Sequence, residues 1–208
     1  MVFRSKHLKS AFPDIYFHVE CVQGATASGL ENPNSKTAAY AVFMKALNEY
    51  NGTIVITLLG EVDTGFVIWY WAQKHSSSLA QSLKRAANTY CRFIDKIAKK
   101  RTVICLSAPL PTISDDNDWG DVANLRSEIN ASQLERTQMT LAFNALVKEH
   151  CRENKYSYID LDIDALGTDG LVKKRLMHEN PLNHHYNNEA YSVLMTDRLR
   201  PIMSNLIS

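Results

Sequence analysis

The chain has 208 residues, 45% of them hydrophobic, and a formal net charge of +1. That is enough apolar material for one sizeable core, and one domain over residues 1–208 is expected. Acids and bases are spread along the chain, so charge points to no nucleic-acid partner. No apolar run reaches membrane-spanning length and no secretory leader stands at the start, so a cytoplasmic protein without a membrane partner is expected.

Residues 1–10 are basic and mildly amphipathic, one or two helical turns ended by Phe12-Pro13-Asp14. Ile15 to Val22 is rich in β-branched and aromatic residues and reads as a strand. The small-residue turn Gly24 to Gly29 follows and lets a backbone come close to a ligand or another element. Ala38, Ala39, Val42, Phe43 and Leu47 keep helical spacing. Thr53 to Leu59 is the second strand, and it ends in Gly60-Glu61-Val62-Asp63. Phe66 to Trp71 fits a strand or a helix packed under that turn. Ser76 to Ser78 caps a long helix whose apolar face carries Leu79, Leu83, Ala86, Tyr90, Phe93, Ile94 and Ile97. It closes on Lys99-Lys100-Arg101, where cations suit the helix dipole.

Thr102 to Leu106 is the third strand. The polar stretch 112–124 has the character of a binding loop or lid. Ser132 begins a further helix, and Tyr156 to Leu161 is the fourth strand. Residues 178–188 form a histidine-rich loop, and Ala190 to Leu206 is a last helix bent or interrupted at Pro201. Strands alternating with helices imply a three-layer α/β/α sandwich with a mostly parallel sheet. The four cysteines, Cys21, Cys91, Cys105 and Cys151, lack CxxC spacing and fall in strand-like or helical runs. They read as buried free thiols.

Three clusters fall in loops that follow strands: Gly24 to Gly29, Gly60 to Asp63, and the loop holding His178, His184 and His185. In open α/β sheets, ligands bind beyond the carboxyl ends of the strands. A glycine turn offers N–H donors to an oxyanion, a carboxylate orients a histidine, and a histidine serves as general base. Each also has a plainer reading: Asp63 and Glu61 as turn and helix-cap acceptors, and Trp69, Tyr70 and Trp71 as core. Arg126 and Arg136 suit either an anion clamp or surface ion pairs with Glu128 or Glu135. Adjacent histidines point apart, and no second ligand pair supports them, so no metal or other cofactor is expected.

The order and spacing of these blocks resemble the SGNH/GDSL hydrolase superfamily. Gly24-Ala25-Thr26-Ala27-Ser28-Gly29 resembles its second block, Gly60-Glu61-Val62-Asp63 its third, and His185-Tyr186-Asn187-Asn188 its last. Arg136-Thr137 and Phe143-Asn144 are similar to an SGNH-like branch. The resemblance implies a flavodoxin-like sheet and hydrolysis of a small-molecule or carbohydrate ester without a cofactor. His185 would be the general base, Gly24 an oxyanion donor, and Asp63 or Glu61 an orienting acid. The Gly-Asp-Ser block of the nucleophile is not found, Val62 stands at the oxyanion Asn position, and Leu182 stands three before His185. Two arrangements follow: an N-terminal strand present in a longer parent and lacking here, with a gap beside the 15–22 strand or a partner strand filling it, or a diverged site drawing on Ser5 or Ser28. A form without activity, or a glycan- or protein-binding module on the same fold, is the alternative. A nucleotide-sugar transferase is disfavoured, because no strand is followed by GxGxxG. The oligomeric state is left open.

Overall fold

The computed structural model describes residues 2–115, 129–180 and 183–207, the side chain of Ile207 excepted. Three strands form one parallel sheet: β1 (Ile54–Thr57), β2 (Thr102–Leu106) and β3 (Ser157–Ile159), in the order β1-β2-β3. The register pairs Ile54 with Thr102 and Thr57 with Cys105, then Ile104 with Ser157 and Leu106 with Ile159. Parallel strands need long crossovers, and helices supply them here. The helices are α1 (Lys6–Ala11), α2 (Ala39–Glu49), α3 (Ile68–Lys74), α4 (Leu79–Ala98), α5 (Gln133–Glu153), α6 (Asp162–Ala165) and α7 (Asn188–Ile207).

Side chains of a strand alternate between faces, and two apolar clusters follow from that alternation. Ile54, Ile56, Ile104, Leu106 and Ile159 pack with α1 and α7, through Leu8, Leu194, Met195 and Leu199. Val55, Val103 and Cys105 pack with α2, α4 and α5, through Phe43, Tyr90, Ile94, Phe143 and Val147. The result is helices on both sides of a parallel sheet. β2 is buried on both faces from Val103 onward, which is why its sequence is a continuous apolar run rather than an alternating one.

The two longest internal helices start on matched caps. Ser78 Oγ accepts from the Gln81 N–H at 3.2 Å, and Ser132 Oγ accepts from the Glu135 N–H at 3.2 Å, each with the return bond of a capping box. The aromatic run 66–71 is helical: a π-helical turn, Asp63–Val67, leads into α3. α7 continues through Pro201, and its first turn is capped by Asn187 Oδ1, which accepts from Glu189 and Ala190 N–H.

Two expectations are corrected. Residues 15–22 form no sheet strand: they run extended with strand-like alternation, Ile15, Phe17 and Val19 half-buried and Tyr16, His18 and Glu20 exposed. Their pattern suits a strand, but among the described residues no backbone hydrogen bond ties 16–22 to β1. Cys21 is consequently exposed, whereas Cys91, Cys105 and Cys151 are buried free thiols. Most of the polar stretch 112–124, together with Arg126 and Leu182, lies outside the described residues. Among the described residues no helix is long and apolar enough to cross a membrane.

Candidate active site

The carboxyl end of β1 runs into Gly60, whose φ of +116° is one that side-chain-bearing residues rarely adopt. A Cβ at this position would sit 2.4 Å from Phe143 Cε1, so glycine is required both by backbone and by packing. The Gly60 carbonyl accepts from Thr64 N–H at 2.9 Å and Thr64 Oγ1 at 3.0 Å, which starts the π-helical turn. Thr64 Oγ1 in turn accepts from Thr140 Oγ1 of α5 at 2.8 Å, and the Thr64 carbonyl accepts from Trp69 Nε1 at 2.8 Å. These bonds fix the turn rigidly against α3 and α5.

Asp63 is completely buried in that turn. Its carboxylate accepts from the Ala27 N–H at 2.6 Å, the Ser28 N–H at 3.0 Å and the Ser28 hydroxyl at 2.7 Å. Burial pushes its pKa above the ordinary carboxylate range, and the donors on Ser28 and Ala27 oppose that shift. The structure thus brings two of the sequence clusters together, with Asp63 holding the 24–29 turn. Among the described residues no hydrogen bond joins Asp63 to His185. Gly24 lies exposed at the start of the same turn with φ +70°, and no hydrogen bond of the described residues uses its N–H. Ser28 spends its hydroxyl on Asp63, and Ser5 caps α1 by accepting from the Leu8 N–H at 3.2 Å.

The histidine loop is pinned to the exit of β2. Tyr186 is buried and its hydroxyl accepts from the Leu110 N–H at 2.8 Å, while Thr112 Oγ1 donates to the His184 carbonyl at 2.6 Å. His185 itself is exposed, its N–H on Asn183 Oδ1 at 3.0 Å and its ring 4.2 Å from that of His184. Glu61 belongs to this side of the site. Burial first, and then the nearby Glu61 carboxylate, push the Tyr191 phenol pKa upward, and Glu61 acts in the same sense on Tyr186. Of the two acids after β1, Glu61 therefore neighbours the loop that carries His185, and Asp63 faces the glycine turn.

Beyond β2 and β3 lies a polar junction of which the sequence singled out Asn144, in the Phe143-Asn144 block, but not its partners Ala108 and Asp162. Asn144, buried in α5, accepts from the Ala108 N–H at 2.8 Å and donates to the Ala108 carbonyl at 3.0 Å and to Asp162 at 2.9 and 3.1 Å. Burial, aided by neighbouring Asp160, raises the Asp162 pKa to about 7. A polar residue amid the buried face Thr140-Phe143-Val147 was the available signal, because such a group is kept only when bonded. Arg136 corrects a further expectation: it is buried and pairs with Asp115 at 3.2 Å and the Ile113 carbonyl at 2.9 Å, rather than with Glu135 on the surface. Among the described residues no group of three or more His, Cys, Asp and Glu could hold a metal ion.

Comparison with known proteins bears on the fold. No protein-family model matches the chain, and no curated protein matches it in sequence. Solved structures do match in fold. A GDSL-like lipase from Bacteroides thetaiotaomicron aligns with TM-score 0.53 at 14% identity, covering 88% of this chain and 73% of the lipase. An acetyl xylan esterase aligns with TM-score 0.51 at 13% identity, covering 86% of this chain and 76% of the esterase. A Streptococcus pneumonia protein provisionally named as a platelet activating factor aligns with TM-score 0.58 at 15% identity, over 97% and 79% of the two chains. These alignments, with helices on both faces of a parallel sheet, give this chain an SGNH/GDSL-like fold.

Proposed function

We propose that the chain is an ester hydrolase of the SGNH type, acting on a small-molecule or carbohydrate ester. The observation that carries the reading is the convergence of three loops at the carboxyl edge of a GDSL-like sheet: the Asp63-held glycine turn, the Glu61 turn and the His185 loop. In this reading His185, exposed in the loop that precedes the last helix, takes the proton of the attacking hydroxyl. Gly24, whose N–H is unengaged, donates to the developing oxyanion. Glu61 supplies the negative field on the histidine side, and Asp63 positions the turn that carries Gly24 without touching substrate. Residue 62 offers no side-chain donor, so backbone N–H groups carry that task.

The second reading is a non-catalytic module that binds a glycan or a protein at the same edge. It is favoured by the engagement of both candidate serines, Ser28 on Asp63 and Ser5 at the α1 cap. One pair of measurements separates the two. Hydrolysis of p-nitrophenyl acetate that falls at least tenfold in His185→Ala, together with labelling of a serine by a fluorophosphonate probe, is the outcome expected of the enzyme. Unchanged hydrolysis in His185→Ala removes that histidine from the role, and no labelled serine favours the binding module.

A further inference from the structure

Charge that is spread along the sequence is uneven on the fold. The outward face of α4 exposes Lys84, Arg85, Arg92 and Lys96, followed at its end by Lys99 and Lys100. The acid of this helix, Asp95, is engaged by His150 at 2.8 Å and by the Tyr156 hydroxyl at 3.2 Å. Arg85, Arg92 and Lys96 fall on one stripe of the helix, about 10 Å and then about 6 Å apart along its axis. α4 leads from the turns after β1 back to the start of β2, so its first turn lies at the carboxyl edge of the sheet, where the candidate site is.

A pocket of about 580 Å³ lies against this stripe, between segment 29–41 and α4. One wall continues the turn that Asp63 holds: Ser28 is bonded to that carboxylate, and Gly29, Leu30 and Glu31 run on from it along the pocket. Pocket and candidate site therefore share one backbone segment. Glu31 orients Arg92 through a bidentate pair, Nε to Oε1 at 2.5 Å and Nη2 to Oε2 at 2.6 Å. The Nη1 edge of the guanidinium is left over, and no hydrogen bond of the described residues engages it. Arg92 first, and Arg85 in the same sense, hold the Glu31 pKa below the ordinary carboxylate value. Aromatic rings flank the outer cations. Arg85 lies over Trp71 at 5.0 Å and Lys96 over Tyr40 at 5.0 Å, and the Lys96 ammonium also donates to the Tyr40 hydroxyl. Asn32 and Ser35 add neutral polar groups to the pocket wall.

This mixture selects a ligand class. Cations one to two helical turns apart, with the Asn88 amide and the Glu31 carboxylate between them, suit a chain whose negative charges are also spaced apart. A nucleic acid carries a phosphate on every unit, and Glu31 would repel it. Exposed aromatic faces and neutral polar groups suit sugar rings and their hydroxyls. We propose that the α4 groove binds an oligosaccharide with carboxylates on alternate sugars, its acids on Arg85, the Nη1 edge of Arg92 and Lys96, and its rings against Trp71 and Tyr40. The inference rests on the carbohydrate reading of the site above and narrows it: the ester is borne by an acidic polysaccharide that runs from the carboxyl edge down α4.

The probe is a fluorescently labelled hyaluronan hexasaccharide, whose acids stand on alternate sugars, added to the intact chain, with labelled chitohexaose as its neutral counterpart. Saturable binding of the hyaluronan probe by anisotropy at low salt is expected, with chitohexaose at least tenfold weaker. The double variant Arg85→Gln/Lys96→Gln changes two exposed side chains and is checked for folding by circular dichroism; it should bind the hyaluronan probe at least tenfold more weakly. His185→Ala should bind it as the parent does. Binding without hydrolysis of p-nitrophenyl acetate then refutes catalysis alone, and hydrolysis without binding refutes the groove alone. No binding of the hyaluronan probe, equal binding of chitohexaose, or unchanged binding in the double variant overturns the proposal. Tighter binding of an oligothymidylate of equal charge also overturns it and makes the face a nucleic-acid surface.

Discussion

Gly60 is the residue on which the site's geometry depends most directly. Its carbonyl starts the turn that aims Glu61 and Asp63, and its missing side chain lets Phe143 close the core beneath. Alanine there meets the buried Phe143 ring at 2.4 Å and must hold φ near +116°. Overpacking and left-handed strain each cost on the order of 1–3 kcal/mol. For a chain of this length ~2–4 kcal/mol corresponds to a fall in melting temperature of roughly 5–15 °C. Thermal denaturation of Gly60→Ala followed by circular dichroism checks this, and a change under 2 °C would show that the turn relaxes freely. Glycine before two acids was visible in the sequence, yet its partner Phe143, 83 positions away, was not, because packing across a fold leaves no local signature. Asp63 illustrates the same limit. Its type and place at a strand end suited both an acid facing a histidine and a turn acceptor; its oxygens are taken by Ala27 and Ser28, partners 35 and 36 positions away that no local pattern names.

At the scale of elements, local rules work where the element carries its own determinants. β2, α4 and α5 form where apolar runs, helical spacing and Ser caps place them, since each is specified by a contiguous stretch. Segment 15–22 is the instructive failure. It has the composition and the alternation of a strand, but a strand exists only with a hydrogen-bonded neighbour, and that neighbour is a non-local fact. The capping box of α5 allows a test of how far local chemistry stabilises the whole. Ser132→Ala removes the acceptor for the Glu135 N–H and the hydroxyl that donates to the Glu135 carboxylate, and leaves only the return bond from the residue-132 backbone N–H. A loss of about 1 kcal/mol is expected, read as a drop of roughly 2–4 °C in melting temperature. Ser132→Asp, which keeps an acceptor at the cap, should restore most of it. A Ser132→Ala variant that melts with the parent would mean that tertiary packing alone holds the start of α5.

For the whole molecule, the titration of buried carboxyls sets the direction in which stability changes with pH. Asp162 has a carboxyl that ordinarily titrates near 3.8 and is raised to about 7 by burial and by Asp160. Between those values the folded chain holds a proton that the unfolded chain has released. Linkage then makes this group's contribution full below pH 4 and progressively lost as pH rises to 7. Asp63 is shifted in the same direction by its burial. Opposing shifts at Glu31, Glu135 and Glu149 lower carboxyl pKa values, so their contribution is lost only as pH falls below about 4.5. Between pH 5 and 8 the upward-shifted carboxyls therefore dominate among the shifted acids. The melting temperature of the parent chain should fall across that interval. In Asp162→Asn, which retains an oxygen for Asn144 and carries no charge at any pH, the fall should shrink by on the order of 2–4 °C, the shift that ~1 kcal/mol makes in a chain of this size. Calorimetric scans of both proteins from pH 5 to 8 make the comparison. Parallel profiles would mean that Asp162 keeps its charge in the fold, and that the Asn144 junction solvates it as well as water does.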